Sequence, residues 1–354
     1  MPGRCNKIVL RPYQQTAIDL TLSRFQTTRC ALIDIFVGAG KSWIMSEVAK
    51  KFPKVVILQP CLELVKQNHE KLANSGLDTT MIDSAHKGNW DADYIYTTPQ
   101  TLSKNLDKCT EPDLLIIDEA NVFYEGAMFK LILSRWKYCH VLALTATPYH
   151  YKRKTIFRGG WIWSQTITES IEKVFGEAVL SIDRQKGHEM GYGPDIQFKR
   201  ADITRCYDEH FANRPVYKYI VEQHLEEVKN LLTSLNNGII FCDSKRHAEA
   251  ISEYCGVPTI FGNTPKKRRQ ELVEKFNAGE IKFLATVGCL VRGYDRQDLE
   301  NIIVLTNYNN ECETEQVIGR LNRGTCSKTC WYNSKLNTAK PKAGRMTEVR
   351  IRRI

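Results

Sequence analysis

A short glycine-rich segment in the first half of the chain, residues 38–42 (GAGKS), has the composition of a loop that binds phosphate groups. It stands between an apolar run and a helical pattern, so backbone N–H groups and a helix N-terminus would face the same anion. In such a loop the lysine binds the β- and γ-phosphates and the serine binds magnesium. The segment predicts five nucleotide-binding residues: Gly38, Ala39, Gly40, Lys41 and Ser42.

An acidic pair, Asp118 and Glu119, closes the apolar run LLII later in the first half. Asp118 is suited to hold magnesium through its water shell, and Glu119 to orient and deprotonate an attacking water. The phosphate-loop consensus has a glycine where Ile35 stands, so the loop alone also fits a tight turn with an exposed lysine. A solvated acidic turn is the corresponding alternative for the pair. The combination with Lys41 favours a catalytic site.

The elements that must position these residues follow an alternating pattern of strands and helices. Short β-branched runs such as CALIDIFV, KVVILQP and HVLALTATP are separated by helical stretches. This alternation is typical of a parallel sheet flanked by helices, in which ligands bind at the carboxyl ends of the strands. The pattern restarts with NGIIFCDS and continues through IKFLATV and NIIVLTN, which predicts a second α/β domain of the same design.

The expected domains are residues 1–150, which bind the nucleotide, and residues 212–324, which form the second α/β domain. Residues 151–211 are aromatic and basic and then glycine-rich, and are interpreted as an insertion and linker with a helix over ITESIEKVFG. Residues 325–354 form a basic tail: residues 324–354 hold eight lysines and arginines and one glutamate. Such a tail contacts a phosphate backbone or remains a solvated terminus, and the sequence leaves both open.

Composition excludes several classes of protein. The 354 residues are 42% hydrophobic and 25% charged, which is ordinary for a soluble globular protein. Neither a bilayer-spanning run nor a secretory signal is visible, so we expect an intracellular protein, in the cytoplasm or nucleoid. The 12 cysteines are scattered singly, unlike a disulfide framework. Cys312, Cys326 and Cys330 would form a complete zinc site only with a further ligand from elsewhere in the chain, and the sequence leaves zinc binding open.

The motifs, taken in order, resemble motifs I, II, III, V and VI of the superfamily 2 helicases. They are GAGKS, DEAN, LTATP (residues 144–148), TVGCLVRGYD (286–295) and QVIGRLNR (316–323). LRPYQ at residues 10–14 resembles the adenine-recognition motif of the same group, and the resemblance covers residues 8–324. LRPYQQ, LELVKQNHEKL and the aromatic GGWIW after LTATPY are most similar to RadD- and UvsW-type DNA repair and recombination helicases.

The resemblance implies two RecA-like domains in tandem with an ATP cleft between them. It implies that Gln14 recognises adenine with support from Arg11, and that Gln316 lies near the γ-phosphate and the attacking water. Arg320 and Arg323 would act as arginine fingers on the developing phosphate charge. On the second domain's side, Gly293 and Asp295 would line the nucleotide, whereas Thr145 and Thr147 would couple hydrolysis to domain movement.

Nucleic-acid contacts are also implied by the resemblance. The matching residues stand at strand ends and would hold the sugar-phosphate backbone without reading sequence; they are Pro60, Thr98, Pro99, Gln100, Ser244 and Lys245. Ordinary capping of helices is the alternative for Thr98 and Ser244. The expected cofactors are ATP and Mg²⁺, and the expected partner is nucleic acid, with DNA favoured over RNA. We expect a monomer without membrane contact, and the sequence leaves a protein partner open.

Two departures from the family pattern concern the nucleotide site. Val37 stands where motif I usually has threonine, and Asn121 stands where motif II has histidine or aspartate. That histidine normally links motif II to the motif VI glutamine, so the link to Gln316 is open, although asparagine can still form hydrogen bonds there. The alternatives are an RNA-dependent ATPase of the same superfamily and a nucleic-acid-binding protein with impaired ATP use.

Overall fold

The computed structural model divides the chain into two compact units, Met1–Gly187 with Ala343–Ile354, and His188–Lys342. It describes residues 9–73, 78–83, 88–123, 126–158, 161–204, 220, 222–287, 298–306, 311–321, 328–333 and 347–353. In this part of the chain, no helix has both the length and the hydrophobicity needed to cross a membrane.

The first unit is built on parallel strands whose carboxyl ends meet at one edge. Up to Gly187, its strands are β1 (Cys30–Ile35), β2 (Val55–Leu58), β3 (Thr79–Ile82), β4 (Tyr94–Thr97), β5 (Leu114–Asp118), β6 (His140–Thr145), β7 (Tyr149–Arg158), β8 (Trp161–Ser170) and β9 (Ala178–Ile182). Seven of them form a sheet of order β3-β4-β2-β5-β6-β1-β9. Every neighbouring pair in this sheet is parallel.

Helices cover both faces of this sheet. They are α1 (Pro12–Phe25), α2 (Lys41–Ala49), α3 (Leu62–Ala73), α4 (Pro99–Ser103), α5 (Ala120–Phe123), α6 (Ala127–Arg135), α7 (Glu172–Phe175) and α8 (Arg184–Glu189). On one face, Leu58 and Ile117 pack in a buried cluster with Phe129 of α6 and Phe175 of α7. Because β-strand side chains alternate, the neighbouring residues of β2 and β5 face the other side.

The second unit contains a parallel sheet of its own, of order β10-β15-β14-β11-β13-β12. Its strands are β10 (Ile196–Ala201), β11 (Gly238–Phe241), β12 (Thr259–Ile260), β13 (Phe283–Thr286), β14 (Asn301–Val304) and β15 (Lys328–Asn333). Its helices are α9 (Glu222–Thr233), α10 (Lys245–Cys255), α11 (Lys266–Asn277) and α12 (Glu311–Ile318). Alternate residues of β11 enter different buried clusters, Ile239 on one face and Ile240 on the other.

The predicted α/β class with two parallel-sheet domains is confirmed. The region between them differs from the expected linker. Strands β7 and β8 form an antiparallel hairpin, β9 joins the first sheet and β10 joins the second. Strand β8 continues to Ser170, so the expected helix is limited to Glu172–Phe175. Every residue of β8 pairs with β7 in the antiparallel hairpin. This pairing stabilises a strand more than the local sequence favours a helix.

The basic tail also contains ordered strands. Strand β15 lies between β10 and β14 in the second sheet, and β16 (Thr347–Arg353) pairs antiparallel with β8. Lys328 is buried at the start of β15, and its Nζ donates a hydrogen bond to the carbonyl of Leu299 at 2.5 Å. The described residues of the tail are therefore not a solvated terminus, because their backbone groups are paired in sheets.

Candidate nucleotide site

The loop between β1 and α2 has a backbone that requires glycine at two positions. Gly38 and Gly40 have φ angles of 89° and 81°, in the left-handed region. A Cβ atom on Gly40 would lie 2.6 Å from Nε2 of Gln14, well inside contact distance. The loop therefore adopts this conformation, with α1 packed against it, only with these glycines, and Lys41 and Ser42 then begin α2.

Helix α1 is fastened to this loop through side chains of the predicted adenine-recognition motif. Tyr13 Oη and Gln14 Nε2 both donate hydrogen bonds to the carbonyl of Ala39, at 2.5 and 3.0 Å. Oε1 of Gln14 accepts a hydrogen bond from the backbone N–H of Arg11 at 2.9 Å. Gln14 thus contacts the loop directly, Arg11 contacts Gln14 and Tyr13 beside it, and Tyr13 adds a contact that the sequence did not single out. Adenine recognition stays a prediction.

The acidic pair lies beside the lysine of the loop. Lys41 Nζ is 3.3 Å from Oε1 of Glu119, and both side chains are about nine-tenths buried, with 10% exposed in each. Glu119 has a φ of 51°, the only positive φ outside glycine in the described part of the chain. A left-handed backbone at such a residue costs on the order of 1–3 kcal/mol and is common in active sites. The turn is held in part by the Glu119 N–H, which donates to Oδ1 of Asp118 at 3.1 Å.

The environment of Lys41 fits a phosphate group. Its Nζ is buried and lies within ion-pair distance of Glu119. The donor geometry does not form a hydrogen bond to Glu119 or to any other described residue. A buried ammonium without hydrogen bonds is costly unless a ligand supplies acceptors. Ser42 at the first turn of α2 and Asp118 at the end of β5 offer the oxygen ligands that magnesium prefers.

Asp34 is an additional acidic group near this lysine. It lies in β1, and Ser181 Oγ donates a hydrogen bond to its Oδ2 at 2.9 Å. Burial raises the pKa of Asp34 to about 6, against the opposing effects of the Ser181 hydrogen bond and the charge of Lys41. The sequence pattern does not single out this residue, because one aspartate inside CALIDIFV is consistent with an ordinary buried strand.

We expect Asp34→Asn to stabilise the protein at pH 7.5 and to have a smaller effect at pH 5. The folded-state pKa of about 6 exceeds the ordinary value of 3.8, so this group favours folding below about pH 3.8 and loses that contribution as the pH rises through 6. Asparagine resembles the protonated form at every pH. The expected gain at pH 7.5 is on the order of 1–3 kcal/mol in urea unfolding.

The matched control for this substitution is Asp19→Asn, at an exposed position of α1. Its effect should stay within roughly 0.5 kcal/mol at both pH values. An equal gain for Asp34→Asn at pH 5 and pH 7.5 would contradict the assignment.

Asn121 connects the acidic motif to the LTATP segment after β6. Asn121 Nδ2 donates a hydrogen bond to Thr147 Oγ1 at 3.2 Å, and Asn121 Oδ1 accepts one from Thr145 Oγ1 at 3.0 Å. The carbonyl of Asn121 is 2.9 Å from Nδ1 of His150. All three side chains of the Asn121, Thr145 and Thr147 network are buried. The sequence left open which motif Asn121 contacts, and the structure assigns it these partners because β5 and β6 are neighbours.

Removing this amide should destabilise the first unit. We expect Asn121→Ala to lower the free energy of unfolding by about 1–3 kcal/mol, because buried threonine hydroxyls lose a partner. Urea unfolding followed by tryptophan fluorescence measures the loss. Asn230→Ala, exposed on α9, serves as the control and should cost less than about 0.5 kcal/mol. Equal losses of unfolding free energy in the two variants would show that the Asn121 hydrogen bonds do not stabilise the protein.

The remaining predicted nucleotide contacts belong to the second unit. Gln316 is buried in α12, and Arg320 is buried in the turn that follows this helix. Arg323, Gly293 and Asp295 lie outside the described residues, so their predicted roles stay predictions. The cysteines Cys312 and Cys326 of the incomplete zinc set also have no described side chain, whereas Cys330 is buried in β15.

The candidate nucleic-acid residues stand at carboxyl ends of strands, as expected. Pro60 follows β2 and Thr98 follows β4, its neighbour in the sheet, so the two segments share one edge. Thr98 precedes Pro99 and Gln100 and caps α4, its Oγ1 accepting from Thr101 N at 3.3 Å. Ser244 caps α10 and accepts from His247 N at 3.2 Å. Both hydroxyls thus have the capping role, and contact with nucleic acid stays a prediction.

Comparison with known families agrees with the geometry of the two units. Residues 7–150 match the family model of the type III restriction enzyme, res subunit, and residues 223–325 match that of the helicase conserved C-terminal domain. The chain belongs to the superfamily 2 helicases, whose members hydrolyse ATP on nucleic acid. The resemblance to RadD and UvsW within that superfamily stays a prediction.

Individual relatives are distant. The chain is 24% identical over 293 residues to the ATP-dependent RNA helicase DbpA of Bacillus subtilis, which covers 77% of this chain and 54% of DbpA. It spans about half the length, or less, of the first curated relatives that it matches.

Solved structures show the same fold at low sequence identity. The type ISP restriction-modification enzyme LlaBIII bound to DNA has a TM-score of 0.68 at 16% identity, covering 92% of this chain and 27% of LlaBIII. Dbp5 of S. cerevisiae bound to RNA and ADP BeF3 has a TM-score of 0.62 at 16% identity, covering 91% of this chain and 82% of Dbp5. At this identity the likeness concerns the fold alone.

Proposed function

We propose that this chain is an ATP-dependent nucleic-acid translocase or helicase. The observation that carries the proposal is the buried Lys41 ammonium, 3.3 Å from a glutamate held in a left-handed turn at the end of a central strand. An ammonium and a carboxylate in this position combine a phosphate ligand with a general base, which is what hydrolysis of a nucleoside triphosphate requires.

Each residue of the site has a proposed role in this reaction. Lys41 and the loop N–H groups bind the β- and γ-phosphates, and Gln14 and Arg11 bind the adenine. Ser42 and Asp118 would hold magnesium, which when bound neutralises phosphate charge. Glu119 takes a proton from the attacking water. The water oxygen bonds to the γ-phosphorus, and the bond between that phosphorus and the β–γ bridging oxygen breaks, so that the nucleoside diphosphate leaves.

The second unit contributes the remaining catalytic residues of the proposal. Gln316 orients the attacking water, and Arg320 and Arg323 stabilise the negative charge that develops on the transferred phosphoryl group. Gly293 and Asp295 line the nucleotide. The basis for these roles is the resemblance of QVIGRLNR and TVGCLVRGYD to motifs VI and V.

We infer that the nucleic acid is DNA, in repair, recombination or replication, and that the protein works as a monomer inside the cell. The match to the restriction-enzyme family model supports this choice. The identity to DbpA, named an RNA helicase, favours the second candidate, an RNA-dependent ATPase. The proposed contacts to the backbone are made by Pro60, Thr98, Pro99, Gln100, Ser244 and Lys245.

The experiment that tests the proposal is a panel of ATP hydrolysis rates with single-stranded DNA, forked DNA and single-stranded RNA of equal length. We expect turnover that requires magnesium and is stimulated more by DNA than by RNA. Lys41→Ala should abolish turnover, whereas Lys51→Ala, exposed after α2, should not. Stimulation by RNA alone would select the second candidate. Absence of turnover with every nucleic acid would overturn the ATPase proposal.

A further inference from the structure

A buried glutamine at the end of β2 has an amide group without hydrogen bonds. Gln59 follows β2 directly and is fully buried, with 0% of its surface exposed. Neither its Nε2 nor its Oε1 has a hydrogen-bond partner among the residues that the structure describes. An unpaired buried amide disfavours folding, because water bonds both atoms in the unfolded chain. Such a group is retained where a ligand or an ordered water supplies the missing partners.

Few polar groups in the described part of the chain share this property. Besides Gln59, the side chains with a buried atom that lacks a hydrogen bond are Lys41, one histidine and two arginines. A histidine or an arginine has further nitrogens that can form bonds, whereas in Lys41 and Gln59 the whole polar group lacks a hydrogen bond. Lys41 is the residue on which the proposed phosphate contact depends. A ligand that binds at Lys41 is therefore a candidate partner for Gln59 as well.

The strand register places Gln59 beside Asp118. Leu58 of β2 pairs with Ile117 of β5, so the next residues of the two strands are Gln59 and Asp118. Leu58 and Ile117 belong to one buried cluster on one face of the sheet. Because side chains alternate, Gln59 and Asp118 both face the other side, on neighbouring strands about 4.8 Å apart. The backbone N–H of Gln59 donates to the carbonyl of Thr97 at 3.0 Å, so the pairing with β4 continues through this residue.

Helix α2 covers the same face of the sheet. Ile57 pairs with Tyr96 in the register of β2 and β4, and Gln59, two residues after Ile57, faces the same side. Tyr96 lies close to Ser46 of α2. The Oγ of Ser46 in turn donates a hydrogen bond to the carbonyl of Ser42 at 2.9 Å. Gln59 therefore stands on the face that α2 covers, at the carboxyl edge of the sheet, where α2 begins.

We propose that Gln59 is a positioning residue of the nucleotide site, and that its amide holds water in the shell of the magnesium ion that Ser42 and Asp118 would bind. Magnesium in such sites keeps several water ligands. Water on a cation donates its hydrogens outward, which suits the acceptor Oε1, and Nε2 can donate to a carboxylate or phosphate oxygen. Both atoms of the amide thus gain partners when the complex binds. This inference rests on the proposed function, because it requires a magnesium–nucleotide complex at Lys41.

The first test measures the stability of Gln59→Met in the absence of magnesium and nucleotide. Methionine is similar in length and volume to glutamine but has no amide, so the substitution removes both unpaired atoms. We expect the midpoint of urea unfolding to rise, because no unpaired amide then disfavours folding. Gln26→Met, exposed after α1, is the control and should leave the midpoint unchanged. A lower midpoint for Gln59→Met would show that a permanent partner, such as a structural water, satisfies the amide, and would overturn the proposal.

The second test measures affinity for a fluorescent ATP analogue, once with magnesium and once with EDTA. Gln59→Met should bind the analogue roughly threefold to tenfold more weakly in magnesium, the effect of a lost hydrogen bond, and like the wild type in EDTA. Gln26→Met should match the wild type under both conditions. Wild-type affinity of Gln59→Met in magnesium, or an equal loss under both conditions, would overturn the positioning role. A wild-type protein that binds the analogue under neither condition would instead overturn the proposed function, and the positioning role with it.

Discussion

Glu119→Gln is expected to lower ATP turnover on nucleic acid by about 10²–10⁴-fold while ATP affinity changes little. The amide is nearly the same shape as the carboxylate, so Lys41 and the backbone turn stay in place, but it cannot take a proton from water. The backbone at this position has a φ of 51°, and glutamine can adopt it as well as glutamate can, so the substitution should not change the backbone conformation. Steady-state hydrolysis and equilibrium binding of a fluorescent ATP analogue measure the two quantities separately.

Glu70→Gln is the matched control for this variant, because Glu70 is exposed on α3 of the same unit. Its turnover should equal that of the wild type. A Glu119→Gln protein that retained more than about a tenth of wild-type turnover would remove Glu119 as the general base. Loss of ATP affinity together with turnover would point instead to a role in binding.

Arg320→Lys is expected to reduce turnover by about 10³-fold if Arg320 is the arginine finger of the proposed mechanism. Lysine keeps the charge and most of the stem but loses the planar fork that holds two phosphate oxygens at once. This conservative change is chosen because Arg320 is buried in the second unit, and truncation there would disturb packing. ATP affinity should stay within a few-fold, since the interaction is strongest in the transition state.

The control for Arg320→Lys is Arg268→Lys on α11, where the exposed arginine pairs with Glu271 at 2.9 Å. Unfolding temperatures of both variants should match the wild type, so that a lower rate reports on chemistry. Full turnover in a folded Arg320→Lys protein would transfer the proposed role to Arg323. Arg323→Lys is then the variant to measure.

The residues of the first unit's site could be proposed from the sequence because each lies within a few residues of the end of a strand. Lys41 follows a strand by a few residues, and Asp118 and Glu119 end another strand. Carboxyl ends of parallel strands meet at one edge whatever the strand order, so both motifs were expected at the same edge, and the order β5-β6-β1 then places them two strands apart. The left-handed backbone of Glu119 was not predictable, because glutamate has no preference for that conformation.

The segments around the division between the units could not be predicted in the same way. Strands β9, β10 and β15 are short or carry exposed and basic residues, which gives a weak periodic signal. Lys328 illustrates the reason. Lysine in a basic tail predicts a solvated side chain, but here a backbone carbonyl 29 residues earlier accepts its hydrogen bond in the interior.

By itself, the sequence determined the α/β class of both halves and the motifs that identify the superfamily, since both depend on residues close together in the chain. The tertiary structure alone decided what Asn121 contacts and that His224 faces His247. These partners are 26 and 23 residues apart, and strand order and helix packing bring them within hydrogen-bond distance. The hydrogen-bond partner of a buried polar side chain is determined only when distant segments pack together, because water would otherwise form that hydrogen bond.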